Sequence, residues 1–211
     1  MIDGELQEGA AFRFLELMPD GGADSQVALV YLHGAGERGE DLSLVKRYGL
    51  PALLDQGLAS ASCAVICPQL ETDDQWPPLR VAAFVGEIKR RYARVVLAGY
   101  SLGGQGVCEA LRHDGALAEL AVVIAGRGPD VGDARLNGLS LVVIQGALDP
   151  WPDTEDFVRS AHIAGADVLQ VVVPERGHYI SEEVWFHPAV VPRLRAAGVT
   201  ISPLSARLPA G

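Results

Sequence analysis

Val95-Val96-Leu97-Ala98-Gly99-Tyr100-Ser101-Leu102-Gly103-Gly104 is the stretch on which the reading of this chain turns. An apolar run of strand length stops at a glycine, presents a serine two residues on, and meets two more glycines before helical spacing begins. A strand, a sharp turn and a helix are expected. A Gly-x-Ser-x-Gly turn holds its serine in a strained backbone conformation at the tip of a sheet, and its glycines remove side chains that would clash there. Ser101 then offers its hydroxyl at a helix N-terminus, where backbone N–H groups without internal partners favour developing negative charge. Glycine-rich turns in nucleotide-binding folds want Gly-x-Gly-x-x-Gly or a Lys-Ser/Thr pair after the glycines, and neither is present.

Outward from this turn, strands and helices alternate. Towards the N-terminus the pattern predicts strands over Ala11 to Leu17, Gln26 to Leu32 and Ala61 to Cys67, with Pro19-Asp20-Gly21-Gly22 turning the chain. Helices are expected from Leu42 to Tyr48, Pro51 to Gln56 and Leu79 to Tyr92, the last with Lys89, Arg90 and Arg91 near its C-terminal end. Beyond the serine, Gly104 to Arg112 reads as a helix, Leu120 to Ala125 as a strand and Gly126 to Gly138 as a long loop. Ser140 to Gly146 and Val168 to Val173 read as strands flanking a helix from Thr154 to Ala164, and a surface tail begins near Ile201. Such alternation implies an α/β fold with a mostly parallel central sheet and helices on both faces. The length of 211 residues suits one domain spanning 1–211.

Composition narrows the functional classes. A net charge of −10 speaks against nucleic acid and against anionic membrane surfaces, since both need clustered Lys and Arg. No N-terminal segment joins basic residues to an apolar run, and nothing approaches the ~18 apolar residues needed to span a bilayer, so a soluble cytoplasmic protein is expected. Cys63, Cys67 and Cys108 give an odd count within or beside apolar segments and read as small buried hydrophobes. No Cys/His spacing suggests zinc, and neither metal nor cofactor is expected.

In open α/β sheets the ligand site lies at the carboxyl ends of the strands. Those ends carry His33-Gly34-Ala35-Gly36, Ser101, Asp149 and, after the last strand, Gly177-His178. A serine hydroxyl is a poor nucleophile until an oriented imidazole takes its proton, and a carboxylate orients the imidazole and stabilises its charged form. The order Ser101, Asp149, His178 is that of α/β-hydrolases. Asp153 and Asp156 are rivals for the acid but read as charges at a helix start. His113, His162 and His187 read as surface residues, and His33 as a structural member of the loop facing the serine. Backbone N–H groups of Ala35 and Leu102 are the expected donors to an alkoxide formed when Ser101 attacks an acyl carbonyl.

With these residues assembled, the chain from about Gln26 to Leu194 resembles the α/β-hydrolase superfamily. The segments Leu32-His33-Gly34-Ala35-Gly36-Glu37-Arg38-Gly39-Glu40-Asp41, Cys67-Pro68-Gln69 with Trp76, Gly146-Ala147-Leu148-Asp149 and Gly177-His178 are similar to its phospholipase/carboxylesterase branch. That branch takes in acyl-protein thioesterases, dienelactone-hydrolase-like enzymes and predicted esterase/peptidase relatives. The resemblance implies Ser101 as nucleophile, Asp149 as orienting acid, His178 as base, and Ala35 and Leu102 as oxyanion donors. Relatives commonly carry a small aliphatic pair before proline after the acid, whereas here Pro150-Trp151-Pro152 brings a bulky ring. No insertion is long enough for a large lid. An open, shallow pocket for short acyl or small aromatic esters is therefore expected, with Trp76 and Trp151 lining it or packed beneath loops. Trp185 is assigned to packing. The expected activity is hydrolysis of a small-molecule carboxylic ester; a thioesterase or small peptidase, and a non-catalytic ligand-binding module, are the alternatives. A homodimer is compatible with an apolar rim, though no stretch demands one.

Overall fold

The computed structural model describes residues 4–8, 11–18, 26–150 and 154–204, the first of these segments as backbone. Its strands are Gly4–Glu8 (β1), Arg13–Leu17 (β2), Val27–Leu32 (β3), Ala59–Ala61 (β4), Ala64–Pro68 (β5) and Arg94–Tyr100 (β6). Leu120–Ile124 (β7), Ser140–Gly146 (β8), Asp167–Val173 (β9) and Ile201–Pro203 (β10) complete them. The helices are Gly49–Asp55 (α1), Pro78–Lys89 (α2), Leu102–His113 (α3), Glu155–Ile163 (α4) and Val191–Ala196 (α5).

Eight strands make one sheet in the order β1-β2-β5-β3-β6-β7-β8-β9. From β5 to β9 every pairing is parallel, while β1 and β2 add an antiparallel edge. The expected mostly parallel sheet is observed. Successive side chains of a strand face opposite sides, and here both sides are dry. On β3, Val27, Leu29 and Tyr31 pack into one core with Leu50, Leu53 and Leu54 of α1 and Leu194 of α5. Ala28, Val30 and Leu32 face the other core, with Val81, Phe84, Val85 and Ile88 of α2, Val107 and Leu111 of α3, and Phe157 of α4. Helices thus cover both faces, as the apolar runs require.

The sheet also fixes where a site can lie. The chain runs from β3 to β5 on one side and then crosses to β6 on the other, so the loops leaving β3 and β6 diverge from adjacent strand ends. That divergence opens a crevice at the carboxyl edge. The loop after β3 and the turn after β6 are His33 to Gly36 and Ser101.

Several expectations are corrected. The strand expected over Ala61 to Cys67 is two strands, β4 and β5, and β4 leaves the main sheet to pair with β10, Ile201 opposite Ala61. The supposed tail therefore begins as an antiparallel strand. Leu42–Lys46 is a 3-10 turn rather than an α-helix; Asp41 caps it by accepting the Ser43 N–H at 2.9 Å. The turn at Pro19 to Gly22 lies outside the described residues. All three cysteines are buried and free. No large lid crosses the carboxyl edge among the described residues, and no helix there is long and apolar enough to cross a membrane.

Candidate active site

Ser101 sits between β6 and α3 with φ 54° and ψ −113°, a left-handed conformation that non-glycine residues rarely adopt. Its N–H donates to Ile124 O at 2.8 Å, and its carbonyl accepts the Gln105 N–H at 3.0 Å. Two glycines make the turn sterically feasible. A Cβ at Gly99 would overlap the Gly103 carbonyl, and one at Gly103 would overlap the carbonyl of Leu32 on β3. The glycines thus let α3 start hard against β6 and β3, which leaves the serine half-buried at the crest.

Asp149 and His178 come from the exits of β8 and β9, which are stitched together. Ala147 N–H donates to Val173 O at 2.9 Å and Leu148 N–H to Arg176 O at 2.8 Å. A Cβ at Gly146 would overlap the Arg176 and Gly177 carbonyls, so the absence of a side chain there lets the histidine loop lie against the aspartate turn. His178 Nδ1 is 2.6 Å from Asp149 Oδ2 and its Nε2 is 2.8 Å from Ser101 Oγ. The Asp149 side chain is wholly buried and that of His178 is 13% exposed, so solvent screens the pair weakly. With Nδ1–H donating to the carboxylate, Nε2 is left to accept from the serine hydroxyl. Tyr100 OH donates to His178 O at 3.3 Å, and the two rings lie 5.4 Å apart.

Ala35 opens a 3-10 turn, Ala35–Glu37, and Leu102 opens α3. N–H groups at such first positions have no acceptor within their own helix. Both residues line one cavity with Ser101. Buried groups brace the loop that carries Ala35. His33 Nδ1 donates to Gly34 O at 2.6 Å while its Nε2 accepts the Leu70 N–H at 3.0 Å. That pair of bonds fits only a neutral ring, and burial pushes the imidazole down to about 4. Glu37 Oε2 accepts the Gly34 N–H at 2.9 Å, and Gln69 Nε2 donates to Glu37 O at 3.2 Å and to Asp41 O at 2.6 Å. Glu37 is 1% exposed, and burial pushes its carboxyl up to about 8 despite the Gly34 N–H. Its structural place was absent from the sequence reading, although a Glu three residues after Gly34 is a capping-box spacing.

The cavity, about 280 Å³, is lined by Ala35, Ser101, Leu102, Gln105, Ala125, Arg127 and His178. Gln105, Ala125 and Arg127 were not anticipated. The expectation for Trp76 is corrected: it does not line this cavity. It is 3% exposed, its Nε1–H donates to His33 O at 3.1 Å, and its ring packs on Phe12 and His33. Gly106 on α3 makes room, since a Cβ there would come within 2.6 Å of the Trp76 Cβ. Trp76 thus supports the floor of the loop. Trp151 and Asp153 lie outside the described residues. Asp156 pairs with Arg159 on α4, and His113, His162 and His187 stand away from the cavity lining. Trp185 is buried, bonded to Ser181 O at 2.8 Å. Among the described residues, no group of three or more His, Cys, Asp or Glu side chains could hold a metal ion.

No protein-family model matches the chain, and no curated protein matches it. Solved structures do. A thermostable esterase superposes with TM-score 0.68 at 18% identity, over 92% of this chain and 62% of that one, so the chain spans under two thirds of that esterase. A carboxylesterase from Mesorhizobium loti gives 0.65 at 21% identity, over 92% of this chain and 99% of the other. A phospholipase/carboxylesterase from Dyadobacter fermentans gives 0.56 at 20%, over 93% and 97%. At these identities the likeness is one of architecture, and with the strand order and the strained serine turn it leads to one statement: the chain has the α/β-hydrolase fold.

Proposed function

We propose that the protein is a serine hydrolase that cleaves carboxylic esters through an acyl-enzyme intermediate, with Ser101 as nucleophile, His178 as base and Asp149 as orienting acid. The observation that carries this reading is the unbroken line from Asp149 Oδ2 through both nitrogens of His178 to Ser101 Oγ, at 2.6 and 2.8 Å. A serine at φ 54° is costly to hold and has no structural need of an imidazole partner.

In this reading Ser101 Oγ attacks the acyl carbon as His178 Nε2 takes its proton. The imidazolium keeps its Nδ1–H bond to Asp149, whose negative charge stabilises it. The carbonyl oxygen becomes an alkoxide met by the Ala35 and Leu102 N–H groups; losing one such donor typically costs about 10² to 10³ in rate. His178 then protonates the leaving alcohol, and the acyl group stays on Ser101. A water that gives its proton to His178 attacks the acyl carbon, and collapse of the second alkoxide returns the carboxylic acid and free Ser101. Esters of short acyl chains or small aromatic acids suit a cavity of about 280 Å³ open to solvent.

Hydrolysis of p-nitrophenyl esters from acetate to palmitate, by wild type and Ser101→Ala in parallel, tests this. Turnover peaking at short chains and lost in the variant, with fluorophosphonate labelling of Ser101, is expected. Equal rates in both proteins, with no labelling of Ser101, would refute it.

A further inference from the structure

Arg127 is a charged group of the cavity wall with no part in the chemistry just described. It is exposed, and among the described residues it makes no ion pair or hydrogen bond. Other arginines of this acidic chain are engaged: Arg91 with Glu16, Arg176 with Glu183, Arg193 with Asp167, and Arg38 with the Ala35 and Asp74 carbonyls. Among the described residues the cavity lining holds no carboxylate, and the Asp149 side chain stands wholly buried behind His178. Arg127 is therefore the permanent charge among the described residues of the lining.

Its position is enforced by the backbone. Ala125, at the exit of β7, is held at φ 45° with its N–H donating to Ile144 O at 2.8 Å. A non-glycine residue at positive φ is strained, and such strain persists only where the surroundings over-determine it. Gly126 then abuts α3, where a Cβ would come within 2.6 Å of Gly104 Cα. These contacts direct the chain so that Ala125 and Arg127 both face the cavity. A guanidinium presents paired N–H donors in a plane that matches a carboxylate, and is always charged.

We infer that Arg127 forms an anion subsite beside Ser101, so that the preferred esters of this site carry a carboxylate on the acyl chain or on the leaving group. This rests on the serine-hydrolase reading above. The ester carbonyl lies against Ser101, Ala35 and Leu102, and the free carboxylate takes the guanidinium. Gln105, also in the lining, adds an uncharged amide that can bond the same group without repelling it.

The test compares kcat/KM for matched esters on wild type, Arg127→Gln and Arg127→Lys. Mono-p-nitrophenyl adipate against p-nitrophenyl hexanoate places the carboxylate on the acyl side. 4-(Butyryloxy)benzoate against phenyl butyrate places it on the leaving group. In one of these pairs the anionic-over-neutral ratio of wild type should exceed that of Arg127→Gln by about tenfold, the size of a modest charged hydrogen bond. Arg127→Lys should keep part of the preference, and added salt should shrink it. The pair that responds tells which side of the ester faces the arginine. Ratios unchanged by Arg127→Gln in both pairs, with the neutral esters turned over, overturn the subsite and leave the hydrolase reading standing. No turnover of any ester together with no fluorophosphonate labelling of Ser101 overturns both.

Discussion

Replacing Glu37 by glutamine should flatten the pH dependence of stability on the alkaline side. The carboxyl is raised from 4.5 to about 8 in the folded protein, mainly by burial. Between those values the folded protein holds a proton that the unfolded chain has released, so stability falls as pH rises, by about 1.4 kcal/mol per unit. Below 4.5 both states are protonated and nothing is lost; above about 8 both are ionised and the loss is complete. Over the whole interval this amounts to about 5 kcal/mol, and from pH 5 to pH 8 to roughly 3 kcal/mol. Glutamine has the same shape, never ionises, and its amide oxygen can accept the Gly34 N–H that Glu37 Oε2 accepts. Urea unfolding of both proteins at unit steps from pH 5 to pH 8 measures the difference directly. The stability of Glu37→Gln relative to wild type should climb by roughly 3 kcal/mol across that range. Parallel curves would mean that Glu37 is ionised in the folded state, and the account of the loop bearing Ala35 would be wrong.

Three further changes test the turn and the line of hydrogen bonds. Asp149→Asn should lower kcat by about 10⁴ while Tm stays close to wild type, because the amide no longer holds the imidazole in the productive tautomer; a larger loss for Asp156→Asn would displace Asp149 as the acid. Ser101→Gly should be more stable than Ser101→Ala by about 1 kcal/mol in denaturant unfolding, since only glycine adopts the positive φ without strain. Equal stabilities would deny the strain. Gly103→Ala puts a methyl into the Leu32 carbonyl; it should cost more than about 3 kcal/mol or prevent folding, measured by unfolding or soluble yield.

The architecture and the line from Ser101 to Asp149 were legible because each rests on local rules. Apolar β-branched runs such as Val122-Val123-Ile124 of β7 can lie only in a sheet covered on both faces, and Gly99, Gly103 and Gly146 mark places where backbones touch. The misreadings share a different cause. Gly4–Glu8 offers a single apolar side chain, Leu6, so nothing in its pattern announces a strand that forms by pairing with β2. The short helix α5 was not anticipated, and Pro192 stands in its first turn, where proline costs no hydrogen bond. On sequence alone Trp76 is open between lining the pocket and packing beneath loops, and the distant Gly106, which makes room for it in the core, is what decides. Glu37 and Arg127 were invisible as a pair of opposites, one buried and one exposed, since burial is a property of the assembled loops.

The serine and the glycines of the turn answer to different demands. Ser101 is needed only for what it does, whereas Gly99 and Gly103 are needed for the backbone to pass at all. A lineage that abandons catalysis is free to change the serine at once and gains stability by doing so, but it cannot place a side chain at either glycine without rebuilding the join between two strands and a helix. Descent therefore leaves an imprint of glycines around a vanished nucleophile. A search keyed to those glycines will gather silent cousins of this protein that a search keyed to the serine passes over.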